Sequence, residues 1–252
     1  MTAYHGTKMV LDNLVLCLDA TNPRSYPGTG DIWYDLSGND NHATRTDAGS
    51  YSTWNSAGYF EHRPQNTYGG TDPNATATNG AHWTINHSSE LAPGNNGWTV
   101  NGWLKVIGTQ SGNGVGWFHK QGSGDERGIH LEPISDYFRA NGTNGWSQMT
   151  PNITAYYSIW TNYCFVFTQT SGTYGANSGN LKFYINGQLT AEDTDFIPRV
   201  DGGAVIRLMR RNGHFQHYLN GDVANYYYYT KALSQNEVKA NYNALAPRFS
   251  AL

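Results

Sequence analysis

The stretch WYDLSGNDNHAT, from Trp33 to Thr44, concentrates side chains that can do chemistry. Aspartate, asparagine and histidine serve as metal ligands, as proton donors and acceptors, and as turn formers that bond to nearby backbone groups. Three uses therefore stay open for this segment: a metal loop, a catalytic centre or a turn of fixed shape. An EF-hand calcium loop is not among them, because Gly38 comes too early and no glutamate closes the loop.

Paired carboxylates across one groove are what hydrolysis of a glycosidic bond usually requires. The densest acidic cluster, AEDTDF, contains Glu192, Asp193 and Asp195, but it follows a predicted hairpin, where we expect a solvated turn. The histidines form no H-E-x-x-H pair, and no G-x-S-x-G elbow occurs. The glycine-rich GSGDERG has neither dinucleotide-binding spacing nor a phosphate-loop lysine. The sequence therefore predicts a protein that is not an enzyme.

The composition predicts a β protein. Charged residues and aromatic residues each make up 14% of the 252 residues, and 29 glycines interrupt the chain, which is typical of short strands joined by many turns. We expect one domain over residues 1–252, with an N-terminal arm at about 1–12 and a C-terminal tail at about 247–252.

The charge and the termini restrict the partners. With a net charge of −3, the chain lacks the excess of basic residues that binding to a nucleic-acid backbone requires. The N-terminus lacks the apolar run of a signal peptide, since Asp12 and Asn13 interrupt it, and no segment approaches membrane-spanning length. We therefore expect no nucleic-acid partner, no membrane insertion and folding in a cytoplasm. Cys17 and Cys164 lie in strand-like runs, where free buried cysteine is favoured over a disulfide, although pairing stays open.

Strand signals recur along the chain between glycine-, asparagine- and proline-rich turns. Asn186-Gly187 suits a type I′ hairpin turn. This spacing predicts antiparallel sheets that meet as a sandwich. The predicted strands run from Asn13 to Asp19, Trp98 to Val106, Trp117 to Lys120, Ile129 to Glu132, Tyr163 to Gln169, Leu181 to Asn186, Val205 to Met209 and Val223 to Thr230.

Strand parity and capping signals place two further features. Alternate residues from Trp98 to Val106 share a core face, which leaves Trp103 on the other face, either under a covering segment or on a sugar-binding surface. One helix is predicted from Ser234 to Ala246, because Ser234 and Glu237 have the capping-box spacing and apolar residues then recur on one face.

The run LVLCLDATNPRSYPGTGDIWYDLSGNDNHAT resembles the N-terminal part of laminin-G-like, concanavalin A-like jelly-roll domains of the kind found in structural proteins of tailed bacteriophages. Four further segments resemble the family in the family's order: WTINHSSELAP, WTVNGWLKV, LKFYINGQL and NGDVANYYYYTKALSQNEVKANYNA. The resemblance covers most of the chain, roughly Asn13 to Phe249. It implies an all-β fold, an antiparallel β-sandwich jelly roll with one short C-terminal helix.

The segment DLSGNDN resembles a signature turn of this family, in which Gly38 supplies a positive φ. Some relatives hold a structural calcium ion near the turn, which implies Asp19, Asp35 and Asn41 as its oxygen ligands here. No other cofactor is implied. The sequence departs from the family pattern in the closing strand, where Ala224-Asn225 replaces an acidic pair.

The resemblance implies a non-enzymatic virion component, such as a capsid decoration, fibre or knob protein. Its expected partners are other virion proteins, copies of itself and host-surface glycans. Two other functions stay open: a glycan-active hydrolase or lyase of the same superfold, and a bacterial surface adhesion module.

Aromatic residues supply the expected contacts. Trp117, Tyr137 and Trp146 lie in or beside glycine-rich turns and are the expected glycan-stacking residues, with core packing as the alternative. Tyr226 and Tyr228 are the expected interface residues, because alternate tyrosines of a strand face away from the core. The alternative is that another layer covers them.

Overall fold

A computed structural model describes residues 8–46, 51–64, 81–108, 115–120, 129–149, 152–200, 202–211 and 218–250. These residues form two antiparallel sheets and one C-terminal helix, as predicted. In chain order the strands are β1 (Leu14–Asp19), β2 (Ile32–Trp33), β3 (Ala43–Thr46), β4 (Ser52–Asn55), β5 (Tyr59–His62), β6 (His82–Ile85), β7 (Trp98–Val106), β8 (Phe118–Lys120), β9 (His130–Ile134), β10 (Tyr137–Gly142), β11 (Gly145–Met149), β12 (Thr161–Gln169), β13 (Gly179–Ile185), β14 (Gln188–Phe196), β15 (Ile206–Leu208) and β16 (Gly221–Tyr229), and the helix is α1 (Gln235–Phe249).

The strands divide into two sheets. The first sheet has the order β14-β13-β12-β7-β16-β5-β4, and β1 pairs with the second half of β16, beyond the end of β5. The second sheet has the order β11-β10-β9-β8-β15-β6-β3-β2. Neighbouring strands in both sheets are often far apart in sequence, so the sandwich depends on long-range pairing rather than on hairpins alone.

Each sheet contributes one face to the core between them. Along β7, alternate residues from Trp98 to Val106 point into this core, as the parity predicts. Trp103 points the opposite way and is only 3% exposed, because α1 covers it. Its ring stacks on Phe249 at 4.1 Å and on Tyr242 at 5.6 Å between ring centroids. The central strands β7 and β16 of the first sheet are therefore buried on both faces, and Trp103 is a packing residue rather than a sugar contact.

The helix begins with the predicted capping box, in which Ser234 accepts a bond from the Glu237 backbone and Glu237 accepts one from Ser234. It ends later than predicted, at Phe249, so the expected tail from 247 is wrong for the described part of the chain. Pro247 lies within the last turn, and two residues later the Phe249 ring packs on Trp103 and Trp160. At 15 residues, α1 is too short to span a bilayer, and no other helix in the described ranges could do so.

The tyrosine run in β16 alternates as predicted, but neither face reaches the surface. Tyr226 and Tyr228 point between the sheets, where their hydroxyls donate to the backbone carbonyls of Trp117 and Leu91. The other two tyrosines of the run point towards α1. Tyr226 and Tyr228 are both 0% exposed, so their assignment as interface residues is wrong. Both faces of the run are buried because β16 is a central strand, covered by the second sheet on one side and by α1 on the other.

The hairpin at Asn186-Gly187 is confirmed, with φ of 51° and 74°, as a type I′ turn requires. The AEDTDF segment behind it is not a turn but part of β14, the edge strand of the first sheet. Glu192 is exposed there and faces Lys182 at 3.6 Å. Charged side chains on an edge strand discourage pairing with other chains, which explains acidic residues at this position without catalysis.

Candidate functional site

The segment that opens with Trp33 is a turn organised by Asp35. The Oδ1 atom accepts hydrogen bonds from the backbone N–H groups of Cys17 at 2.7 Å and Ser37 at 2.9 Å. The Oδ2 atom accepts from the Ser37 hydroxyl at 2.6 Å and from the Asn41 N–H at 3.1 Å. Gly38 adopts a φ of 93°, as predicted. One carboxylate thus fixes the turn and ties it to β1.

The three expected calcium ligands do not form a cation cage. Asp19 holds the guanidinium of Arg248 through two bonds of 2.8 and 2.9 Å, so a cation of the protein itself occupies its carboxylate. The Asn41 amide donates to the Val15 carbonyl at 2.8 Å, and its oxygen accepts from Ser88 at 2.7 Å. Together with Asp35, these oxygens are directed at protein donors. The geometry does not support the calcium assignment.

The three expected glycan contacts separate on burial. Trp117 is 0% exposed, in the core between the sheets, where its ring meets Phe138 and Tyr226, so that assignment is wrong. Although Trp117 lies beside a turn, its indole points inwards, because a large apolar ring is more stable in the core than in solvent. Tyr137 is half-buried at the start of β10, and Trp146 in β11 is 38% exposed. These two lie on the face of the second sheet that points away from the core.

That outer face carries a cluster of ionisable side chains. His119 in β8 is paired in register with His130 in β9, and Glu132 in β9 is paired with Arg139 in β10. The residues between them, such as Leu131, point into the core. Strand alternation therefore sends all four polar side chains outwards and side by side. We call His119, His130 and Glu132 the His–His–Glu cluster.

Glu132 is the centre of this cluster and is 0% exposed. Its Oε1 accepts from the Arg139 Nε at 2.7 Å and also from the second guanidinium nitrogen, Nη2. Its Oε2 lies 3.1 Å from the His130 Nε2 and 3.5 Å from the His119 Nε2. The Arg211 Nε lies 3.7 Å from the same oxygen. Donors therefore surround the carboxylate on both oxygens.

Burial and charge set the protonation states. Burial lowers the pKa of His130, and it lowers the pKa of His119 still further, with the neighbouring His130 adding to the effect. Burial alone would raise the pKa of Glu132, but the two imidazoles outweigh it and hold that pKa well below its ordinary value. Burial therefore disfavours the charged form of both imidazoles, and the imidazoles favour the ionised form of the Glu132 carboxyl.

Trp146 is fixed in place by this cluster. The Arg139 guanidinium lies over its ring at 3.7 Å, and the Arg211 guanidinium lies 5.6 Å from the ring centroid. The His130 ring meets it edge-on at 4.9 Å. A partly exposed indole with this much support loses little side-chain entropy when a ligand stacks on it.

The sequence of this chain matches the model of a known family. The Laminin_G_3 model, described as the concanavalin A-like lectin/glucanases superfamily, matches residues 77–239, which is more than half of the chain. The chain belongs to the Laminin_G_3 family. This result confirms the superfamily that the sequence motifs indicated. No curated protein matches the chain by sequence.

Solved structures resemble this Laminin_G_3 protein in fold at low identity. The binding domain of Paraclostridial Mosquitocidal Protein 1 has a TM-score of 0.61 and 15% identity, over 93% of this chain and 52% of that one. Trypanosoma rangeli sialidase has a TM-score of 0.63 and 12% identity, over 94% and 33%. Domain 4 of AbnA, a GH43 extracellular arabinanase from Geobacillus stearothermophilus, has a TM-score of 0.57 and 16% identity, over 90% and 97%. The chain spans about half of the toxin domain and a third of the sialidase.

The two sheets of the Laminin_G_3 protein differ in charge. In the strands of the second sheet, all within the described residues, Glu132 is the single carboxylate. The cations of those strands are Arg45, Lys120, Arg139 and Arg207, and Arg210 and Arg211 follow β15 directly. The strands of the first sheet carry the acidic residues Asp19, Glu61, Glu192, Asp193, Asp195 and Asp222. Strand alternation places Arg139 and Arg207 on the outer face of the second sheet, whereas Arg45 and Lys120 lie on the same side of their strands as the core residues Ala43 and Phe118.

The sequence patterns do not predict the His–His–Glu cluster. The local signal is the alternation in HLEPI, which places His130 and Glu132 on one side of a strand. The partners from other strands give no local signal, because β8 and β10 reach β9 only through sheet pairing. Among the described residues, this is the one group of histidine and acidic side chains whose ligand atoms lie close enough to hold a metal ion.

Proposed function

We propose that this protein is a non-enzymatic, lectin-like carbohydrate-binding module that binds a glycan on the outer face of the second sheet, with Trp146 as the stacking platform. The observation that carries the proposal is the geometry of that indole: it is 38% exposed and is held by the Arg139 guanidinium at 3.7 Å. Sugar sites combine an aromatic surface with a few oriented polar groups.

Polar groups of the right kind surround the indole. Asn141 lies directly opposite Trp146 in the β10–β11 pair, and Gln148 lies opposite Arg139. Amides and guanidinium groups donate to hydroxyl and carboxylate oxygens of sugars. Tyr137 lies on the same side of β10 as Arg139, two residues away, and extends the surface. The Arg139 and Arg211 guanidinium groups beside the ring favour a glycan that carries carboxylate or sulfate groups.

A binding role fits this face better than catalysis. Hydrolysis usually requires two carboxylates, and Glu132 is the single one in the described strands of this sheet. Both of its oxygens are engaged, and it is 0% exposed. His119 and His130 are 0% and 5% exposed, so neither is placed to take a proton from a substrate. A similar fold, domain 4 of AbnA, was solved in complex with arabinotriose.

Glycan screening tests the proposal. We expect the full chain to bind members of a panel of neutral and acidic oligosaccharides, without releasing reducing ends. Trp146→Ala should weaken binding by roughly 30-fold, the loss typical of truncating a central aromatic contact of about 2 kcal/mol. Tyr34→Ala is the matched control, since Tyr34 is 39% exposed and follows β2 at the opposite edge of the same sheet. Equal binding by both variants would reject the site.

We propose further that the module works as part of a virion, as a decoration, fibre or knob protein. The ordered motifs that resemble phage structural proteins support this context, and many copies on a particle would turn weak single-site affinity into avidity. Mass spectrometry of purified virions is the test. Absence of the chain from virions whose genome encodes it would leave a free binding protein or an adhesion module as the better description.

A further inference from the structure

The two histidines of the His–His–Glu cluster converge on one oxygen atom. We propose that His119, His130 and Glu132 form a binding site for a divalent transition-metal ion of the zinc type. Their ligand atoms all lie within 4.8 Å of one another. This site adjoins the stacking surface of Trp146 through His130 and Arg139, but metal binding is measured without any glycan.

Two of the three distances between ligand atoms are close to those of a metal site. In tetrahedral coordination with bonds of about 2.0–2.1 Å, neighbouring ligand atoms are about 3.3 Å apart. The Glu132 Oε2 lies 3.1 Å from the His130 Nε2 and 3.5 Å from the His119 Nε2, on either side of that spacing. A distance of 3.5 Å is long for a hydrogen bond but ordinary for two ligands of one ion. Both spacings to the shared oxygen are therefore compatible with one ion, and all three ligand atoms lie within 4.8 Å of one another.

The supporting strands make the arrangement rigid. His119 and His130 are a register pair of β8 and β9, and Glu132 follows two residues after His130 on the same face. All three side chains are at most 5% exposed, so packing holds their positions.

Arg139 has the position of a supporting residue. It binds Oε1 of Glu132 and leaves Oε2 directed at the histidines. Ligand carboxylates are usually oriented in this way by a hydrogen bond to their other oxygen. Arg211 acts in the opposite sense, because its Nε is 3.7 Å from Oε2 and its positive charge repels a cation there.

The ligand types select the ion. Imidazole nitrogen suits zinc, copper, nickel and cobalt, whereas calcium and magnesium prefer sites made of oxygen atoms alone. We therefore expect zinc or cobalt to bind and calcium or magnesium not to bind at this position. Because the His130 ring contacts Trp146 at 4.9 Å, cobalt bound to His130 should also quench the fluorescence of that indole.

Metal titration tests the site. The chain is prepared without a polyhistidine tag, treated with a chelator and titrated with ZnCl₂ by calorimetry and with CoCl₂ by visible absorption. We expect one zinc ion per chain. His130→Ala and Glu132→Gln should each weaken zinc affinity by more than the roughly 10- to 100-fold that loss of a supporting residue costs. Arg211→Ala should tighten it, because a repelling charge is removed.

His82→Ala is the matched control, since His82 is a buried histidine of the same sheet outside the cluster, and its affinity for zinc should equal that of the wild type. Absence of saturable zinc binding by the wild-type chain, or binding that His130→Ala and Glu132→Gln leave unchanged, would overturn the proposal. If a variant fails to fold, the cobalt spectrum of the wild type decides, since a spectrum without nitrogen ligation also overturns it.

Discussion

Replacing Asp35 by alanine should destabilise the protein by about 3 kcal/mol, because three backbone N–H groups lose their acceptor at roughly 1 kcal/mol each. Those groups belong to Cys17, Ser37 and Asn41, at 2.7, 2.9 and 3.1 Å. The first connects the turn to β1, and Asn41 is only 5% exposed, so water cannot replace every lost bond. Asp35 is therefore expected to be the most sensitive residue of the turn.

The conservative variant should lose less. In Asp35→Asn, the remaining oxygen can still accept from Cys17 and Ser37, but the amide nitrogen meets the Asn41 N–H as a second donor. We expect a loss of about 1 kcal/mol. Asp40→Asn is the matched control, because the Asp40 side chain is 90% exposed and asparagine tolerates its positive φ. Its effect should stay within about 0.5 kcal/mol.

Urea unfolding of the three variants measures these differences, with the slope against denaturant as a check that the unfolded state is unchanged. Each variant is measured after chelator treatment, with and without an excess of CaCl₂. If calcium binds here, a free calcium concentration of 100 times its dissociation constant would add about 2.7 kcal/mol to the free energy of unfolding. A calcium-dependent gain that disappears in Asp35→Ala would refute our reasoning and make the turn a calcium site.

Three further predictions concern packing, capping and pH. Trp103→Ala should cost about 3–5 kcal/mol in urea unfolding, because it removes the ring on which α1 packs; a loss below 1 kcal/mol would mean that the helix docks without it. Ser234→Ala should cost about 1 kcal/mol through the lost capping box, with a matching fall in melting temperature. Burial lowers the pKa of both His62 and His82 to about 3. Unfolding therefore takes up protons below the unfolded pKa of about 6.5, so stability should fall between pH 6.5 and pH 3, by up to about 1.4 kcal/mol per pH unit for each histidine. His62→Phe should reduce that slope, and an unchanged slope in unfolding measured at several pH values would contradict the assignment.

Local patterns predicted the elements that depend on neighbouring residues. The parity of β7, the turn at Asn186-Gly187 and the capping box at Ser234 all follow from interactions within a few positions, and the structure confirms them. The turn after Trp33, with Gly38 at a positive φ, was predicted from the family resemblance, because the residue types alone left three uses open. Several strands escaped prediction: β2 to β6, β10, β11 and β14 are short, polar or at a sheet edge, so their apolar alternation is weak.

The sequence by itself determined the superfamily, the sandwich and the closing helix. The order of the motifs indicates the superfamily, apolar alternation and turn residues indicate the sandwich, and the capping box indicates the helix. Only the tertiary structure decided which aromatic rings are accessible: Trp117 and Tyr226 face a core, while Trp146 stays at an open edge. It also decided that His119, His130 and Glu132 meet. His119 lies in β8 and the other two lie in β9, so the cluster forms only when the two strands pair in the sheet. Burial and proximity are properties of the assembled layers, and no single stretch of the chain encodes which layer will cover it.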